Sequence, residues 1–132
     1  LRAAAISFAT GSTVTVHHGI SDSALKALYQ RASACLTFSR HEGFCVPALD
    51  ALAFDKPLFA TPLPAVEEVT GKAALLVDYN PEVAASQIDA FLNNHDRARD
   101  HGLARRKRMA EWLMLADGRI ILDSLEKMGR VW

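Results

Sequence analysis

Residues 34–61 read ACLTFSRHEGFCVPALDALAFDKPLFAT, and this stretch indicates the fold class of the chain. The apolar runs at 34–38 and 57–61 are typical of strands that are covered on both faces. Between them, residues 47–54 predict a short apolar helix. Pro47 suits a first helical position, because the amide hydrogen that proline lacks would have no partner there. A strand, a helix and a second strand in this order predict two parallel strands joined by a crossover.

The same alternation continues upstream of this unit. Residues 13–18, TVTVHH, are rich in β-branched side chains and predict a strand. Ser21 or Asp22 can cap a helix that follows it. The apolar stripe of that helix consists of Leu25, Leu28, Tyr29 and Ala32.

Downstream, residues 63–69 predict a helical turn and residues 73–77 another buried strand. Asn80, Pro81 and Glu82 form a helix start, and Asp96 can cap the helix after that one. The expected apolar face of the first of these two helices consists of Ala84, Ile88, Phe91 and Leu92. About four strands with intervening helices predict an α/β fold, a Rossmann-like parallel sheet with helices on both faces.

The chain has 132 residues, which fits one small domain or part of a larger one. Leu1, Ala5 and Phe8 have helical spacing, which predicts that the sequence starts within a helix, and residues 117–128 predict a last helix. We therefore expect residues 1–132 to be part of one domain of a longer protein. A small processed protein is the alternative.

Composition limits the classes of function. The formal net charge is zero, which argues against nucleic acid as a partner. Cys35 and Cys45 lack the paired spacing of a zinc site and fit free thiols in a reducing compartment. No apolar run approaches the roughly 20 residues of a membrane span, and no signal peptide is visible.

Residues 39–46 lie where such sheets bind ligands, beyond the carboxyl end of a strand and before a helix start. Free amides and the helix dipole favour an anion there, and Gly43 would let a ligand approach the backbone. Glu42 suits a group with hydroxyls, and Asp50 lies roughly 4.5 Å beyond Pro47 along the helix axis. Two carboxylates flanking amides match the layout of a nucleotide-sugar. The alternatives remain that Gly43 only serves a tight turn, that Glu42 is a loop charge and that Asp50 is a solvated helix residue.

The segment SRHEGFCVPALDALA, residues 39–53, resembles the E-x7-E signature of retaining GT-B glycosyltransferases of group 1, the family 4 type. Residues 14–39 are similar to that family's strand, helix and strand before the signature. Residues 56–92 are similar to the continuation after it. The resemblance runs from about residue 13 to residue 108 and implies the second half of a GT-B C-terminal, nucleotide-sugar-binding domain.

The resemblance implies a role for each matched position. Glu42, the predicted catalytic residue, would hold hydroxyls of the donor sugar, and Asp50 would accept from the ribose hydroxyls. Backbone amides of residues 43–46 would face the sugar and the diphosphate. The predicted donor-binding residues are Ser39, His41, Glu42, Gly43, Phe44, Cys45, Val46 and Asp50. No cofactor and no metal are implied, because amides and cations stabilise the leaving diphosphate.

Three positions depart from the family form. Asp50 stands where the family has Glu, and the shorter side chain can alter the ribose contact or route it through water. Cys45 replaces a common glycine, which is tolerable where only the backbone is used. Phe54 and Asp55 stand where the family has a small residue and glycine. We expect Asp55 to adopt the backbone conformation of that turn.

The implied function is hexosyl transfer, with retention, from a nucleoside-diphosphate sugar to a saccharide or lipid-linked acceptor. The acceptor site and the Arg and Lys that neutralise the diphosphate belong to parts that precede this segment, so we expect the chain alone to be inactive. The alternative is a non-catalytic nucleotide-sugar-binding or interaction module. An epimerase or phosphorylase of the same fold is disfavoured by the loop sequence.

The remaining features have less specific interpretations. Residues 97–112 are rich in arginine, and such a helix can bind anionic lipid. The protein would then be cytoplasmic and peripheral at the inner face of the membrane. A solvated helix face is the favoured interpretation. His17 and His18 are interpreted as structural rather than ligand-binding. Trp112 and Trp132 are predicted to pack. His41 and Cys45 lack a third partner for a catalytic relay.

Overall fold

The computed structural model describes residues 14–116. Its elements, in chain order, are α1 (Asp22–Arg31), β1 (Cys35–Thr37), α2 (Val46–Ala53), β2 (Leu58–Ala60), α3 (Pro64–Thr70), β3 (Ala74–Leu76), α4 (Pro81–Leu92) and α5 (His95–Ala116). The strands form a parallel sheet in the order β1-β2-β3. The predicted Rossmann-like α/β fold is confirmed. The helices predicted around residues 1–8 and 117–128, and Trp132, lie outside the described residues.

The sheet separates two apolar clusters, because successive side chains of a strand point to opposite faces. One cluster joins alternate strand residues to α2, α3 and the C-terminal half of α5; its buried members include Leu58, Ala60, Leu52, Val66 and Val69. The other joins the opposite strand faces to α4 and to Ala98 of α5; its buried members are Phe59, Leu75, Val77, Ala84 and Phe91. The prediction of helices on both faces of the sheet therefore holds.

The strand predicted at residues 13–18 is wrong for the part that the structure describes, since residues 14–18 form no strand. Val14 and Val16 are 38% and 52% exposed, and His17 and His18 are exposed as well. β-branched residues favour a strand only where a neighbouring strand and a packed face support it. Sequence composition alone does not supply that neighbour.

Apolar side chains of β1, α1 and α4 are less buried than predicted. β1 lies at one edge of the described sheet, and its Leu36 is 55% exposed because α4 packs over β2 and β3 instead. The α1 helix forms as predicted, but none of its residues is buried. Leu92 of α4 is likewise exposed, whereas Ala84 and Phe91 of the same helix are buried.

Polar side chains cap α1, α4 and α5 at their first turns. Ser21 caps α1 by accepting from the Ala24 amide, and Asn80 caps α4 as predicted. Asn94, and not Asp96, caps α5, because its Oδ1 accepts from the Arg97 amide at 2.9 Å.

The basic segment of α5 is packed at Arg105 and Arg108, whereas its other basic side chains are exposed, as expected of a solvated helix face; these are Arg97, Arg99, Arg106 and Lys107. Arg105 is 7% exposed and pairs with Asp55 at 3.0 Å, and Arg106 pairs with the other oxygen of the same carboxylate. Arg108 donates to the carbonyl of Val69 at 2.9 Å and to the Glu111 carboxylate at 2.8 Å. Side chains committed to such contacts are not free to bind a lipid surface.

Candidate functional site

The loop at residues 38–45 leaves the carboxyl end of β1 and leads into α2. In this loop Ser39 donates a hydrogen bond from Oγ to Oε1 of Glu42, with an oxygen–oxygen distance of 2.5 Å. Such a charge-assisted bond is short and strong. It holds the half-buried Glu42 carboxylate at the edge of the sheet where ligands bind in this architecture.

Two threonines at the ends of neighbouring strands support Ser39. Thr61, which follows β2 and is 1% exposed, donates from Oγ1 to the Ser39 carbonyl at 2.6 Å. Oγ1 of Thr37, the last residue of β1, lies 3.4 Å from Oγ of Ser39. Sequence reasoning missed Thr61. A hydroxyl residue directly after an apolar strand was the available signal, because the carboxyl ends of parallel strands meet at one edge.

The start of α2 leaves amides free to bind a ligand. Within residues 14–116, the amides of residues 43–46 donate no hydrogen bond to the protein. The first turn of α2 also carries no acidic side chain that would repel an anion. Such a helix start is suited to phosphate groups. The helix begins at Val46, one residue before the predicted Pro47.

Cys45 lies just before α2 in the left-handed conformation, with φ 61° and ψ 63°. This conformation favours glycine, which explains physically why the family form has glycine here. The Cys45 side chain is 2% exposed and packs into the cluster beneath the loop. Burial raises the pKa of the Cys45 thiol, to which the charge of Glu42 adds, so the thiol stays protonated at neutral pH. Cys45 therefore shapes the loop through its backbone and its packing.

Gly43 does not serve a left-handed turn. Its φ is not in the positive range, and a Cβ placed on it would meet nothing within 4 Å. Gly43 therefore does not use the left-handed conformation that favours glycine. The open space in front of it is where a ligand could approach the loop backbone.

Asp50 faces α1. It lines a groove of about 210 Å³ between α1 and α2, whose other lining residues are Asp22, Leu25, Lys26, Tyr29 and Phe54. Partial burial, together with the negative charge of Asp50, raises the pKa of Tyr29 to about 12. The Tyr29 ring also stacks on Phe54 with centroids 5.1 Å apart. The two predicted carboxylates thus have different protein partners.

The remaining predicted site residues lie on the loop surface. His41, Phe44 and Val46 are exposed. The rings of Phe44 and Trp112 form a T-shaped contact with centroids 5.7 Å apart. The Trp112 indole also donates from Nε1 to the Val69 carbonyl at 2.7 Å. Trp112 packs as predicted, and it anchors the loop to α5.

No group of three or more His, Cys, Asp or Glu side chains within residues 14–116 is arranged to hold a metal ion. In the same range, no helix combines the length and the apolar character needed to cross a membrane.

Comparison with known proteins gives two matches. A sequence model of the family described as "Glycosyl transferases group 1" matches residues 1–108. The chain is also 36% identical over 80 residues to the O-antigen chain mannosyltransferase RfbU of Salmonella typhimurium. That similarity covers 61% of this chain, which spans only 22% of the length of the relative. Because the family match includes most of the chain, this protein belongs to the group 1 glycosyltransferases.

Proposed function

We propose that the protein containing this chain transfers a hexose from a nucleoside-diphosphate sugar to a saccharide or lipid-linked acceptor, with retention at the anomeric carbon. This chain contributes part of the donor site. The acceptor site and the cations that neutralise the diphosphate belong to other parts of the protein. Family membership and the mannosyltransferase relative support the transfer of a sugar, and mannose is the first sugar to test.

The proposal rests on one observation: a carboxylate with a fixed position lies next to amides that are free to bind a ligand. Glu42 is fixed by Ser39 at 2.5 Å, directly before the amides of residues 43–46, which have no acceptor within residues 14–116. A carboxylate accepts hydrogen bonds from sugar hydroxyls, and amides at a helix start donate to phosphate oxygens. A sugar diphosphate presents both kinds of group side by side.

In the proposed reaction, the bond from the anomeric carbon to the diphosphate oxygen breaks and a bond to an acceptor oxygen forms on the same face of the sugar. The diphosphate leaves with the bonding electrons, and the proton of the acceptor hydroxyl passes to an oxygen of the departing diphosphate. Amides of residues 43–46 would stabilise the negative charge on the leaving group. Glu42 would orient the sugar through its hydroxyls.

The groove beside Asp50 is the proposed place for the ribose of the donor. Asp50 supplies an acceptor for ribose hydroxyls, and Tyr29 lines the same groove beside it. Lys26 lines the same groove. The groove between α1 and α2 thus supplements the loop site around Glu42.

Calorimetric titration of the complete protein with GDP-mannose and UDP-glucose tests the proposal. We expect Glu42→Gln and Asp50→Ala each to weaken donor binding at least about tenfold, the equivalent of about 1.4 kcal/mol. Exposed Asp89→Ala on α4 is the control and should bind like the wild type. Unchanged donor affinity and transfer rate in both site variants would remove the basis of the site assignment.

A further inference from the structure

We propose that Thr61 is a positioning residue for Glu42, acting through Ser39. The inference rests on the proposed function, because it takes Glu42 as the residue that binds the donor sugar. Thr61 lies on the neighbouring strand connection and would not touch the donor itself. Its buried hydroxyl fixes the peptide that carries the Ser39 side chain.

Two hydrogen bonds in series connect these residues. Thr61 Oγ1 donates to the Ser39 carbonyl at 2.6 Å, and Ser39 Oγ donates to Glu42 Oε1 at 2.5 Å. The main-chain amide of Thr61 also donates to the Thr37 carbonyl at 3.2 Å. Both hydrogen-bond donors of Thr61 therefore tie the end of β2 to the end of β1 and to the first residues of the loop.

The position of Glu42 depends on this tether. If the Thr61 hydroxyl is removed, the Ser39 carbonyl loses a buried donor and its peptide can rotate, which moves the Ser39 hydroxyl relative to Glu42. A carboxylate displaced by about 1 Å binds a sugar hydroxyl poorly. We therefore expect a binding defect that passes through Glu42 and not through the general stability of the sheet.

Thr70 provides a matched control within the same chain. It is equally buried, at 0% exposure, and its Oγ1 donates to the Val66 carbonyl at 2.7 Å. That bond lies within α3 and does not reach the loop. Thr61→Val and Thr70→Val remove the same atom from a similar bond, so they separate a role in the site from a role in stability.

Donor affinity of the complete protein is measured by calorimetry with GDP-mannose as the probe, or with UDP-glucose if the wild type binds that instead. We expect Thr61→Val to weaken binding about three- to tenfold, the equivalent of one hydrogen bond. Thr61→Ser keeps the hydroxyl and should restore it. Thr70→Val should bind like the wild type, even where thermal unfolding shows a lower midpoint.

A double-mutant cycle tests the route through Glu42. In the Glu42→Gln background, we expect Thr61→Val to add no further loss. Ser39→Ala, a half-buried loop variant, should reproduce the loss caused by Thr61→Val and provides the test if the latter does not fold.

The outcomes separate the two proposals. If Glu42→Gln weakens binding while Thr61→Val or Ser39→Ala binds like the wild type, the positioning role is overturned and the proposed function stands. Equal additional losses in the wild-type and Glu42→Gln backgrounds also overturn it. If Glu42→Gln itself has no effect on donor binding, the proposed function fails, and the role of Thr61 fails with it.

Discussion

Arg105 donates a hydrogen bond from Nε to Oδ1 of Asp55 at 3.0 Å, across 50 positions of sequence. Arg105 is almost fully buried, and Asp55 has a φ of 50° in the turn that follows α2. The pair joins the end of the site helix to α5. Asp55 replaces the family's glycine, and here it serves both as a left-handed turn residue and as the partner of a buried cation.

We expect Asp55→Asn to lower the free energy of unfolding of the chain by about 1–2 kcal/mol, because it leaves the buried Arg105 guanidinium without its counter-charge. Asn tolerates the same left-handed turn, so the variant isolates the charge. Urea denaturation at pH 7 measures the change. Asp96→Asn, which breaks an exposed pair with Arg99, is the control and should cost under about 0.5 kcal/mol. Equal effects of the two variants would contradict the prediction.

Gly43→Ala should leave stability unchanged within about 0.5 kcal/mol, because its backbone conformation suits alanine and the added methyl group meets open space. The same methyl group would occupy the space proposed for the donor, so donor affinity should fall. Urea denaturation and calorimetry on the same sample measure both effects. Gly71→Ala is the opposite control: with φ at 57°, it should destabilise the chain by roughly 1 kcal/mol. A Gly43→Ala variant with wild-type donor affinity would contradict the proposed approach of the donor.

Tyr29 should titrate about two pH units above an ordinary tyrosine, since its pKa is raised from 10.0 to about 12 by burial and by Asp50. The chain has two tyrosines, so Tyr79→Phe leaves Tyr29 as the only phenol to observe. Absorbance of the tyrosinate on raising the pH measures the midpoint. A midpoint near 10 would show that the contact with Asp50 and the burial are absent in solution.

The raised pKa of Tyr29 also predicts how stability depends on pH. Between pH 10 and 12 the folded chain retains the phenolic proton that the unfolded chain has lost, so the contribution is present below pH 10 and is lost as the pH rises towards 12. Tyr29→Phe removes this contribution. Denaturation at pH 9 and at pH 11.5 should show a smaller loss for the variant than for the wild type, and an equal loss would contradict the assignment.

The proposed transfer uses amides and cations of the protein, so we expect hexosyl transfer by the complete protein to continue after dialysis against EDTA. The rate of product formation with and without added Mg²⁺ or Mn²⁺ is the measurement. A rate that falls more than about tenfold in EDTA and recovers with either ion would show that a metal takes part in stabilising the leaving group.

The parallel sheet was predictable because its three strands are apolar runs separated by helical segments, and each run is short enough to be a strand. The strand prediction at residues 14–18 was wrong for a physical reason. β-branched side chains favour a pleated, half-buried surface, and whether that surface exists depends on tertiary structure. The exposure of Leu36 has the same origin. No local pattern states which strand lies at the edge of a sheet.

The candidate site could be predicted only where its residues lie in one continuous segment of the sequence. Glu42, the loop amides and the helix start follow one another in sequence, so the loop could be predicted from its residues and its resemblance. The supports come from elsewhere in the chain. Thr61 is 22 positions from Ser39, and Tyr29 belongs to another helix than Asp50. Such pairings are set by the packing of elements, which a local pattern does not encode.

The 22-residue helix α5 contacts both apolar clusters, through Ala98 on one side and Ala104, Met109 and Trp112 on the other. It therefore cannot separate from the sheet without opening both faces together. This makes the helix part of a single cooperative unit, and its central amides should exchange hydrogen only through opening that involves the whole described fold. The loop around Glu42, which touches α5 through Phe44 and Trp112, would lose its shape in the same event.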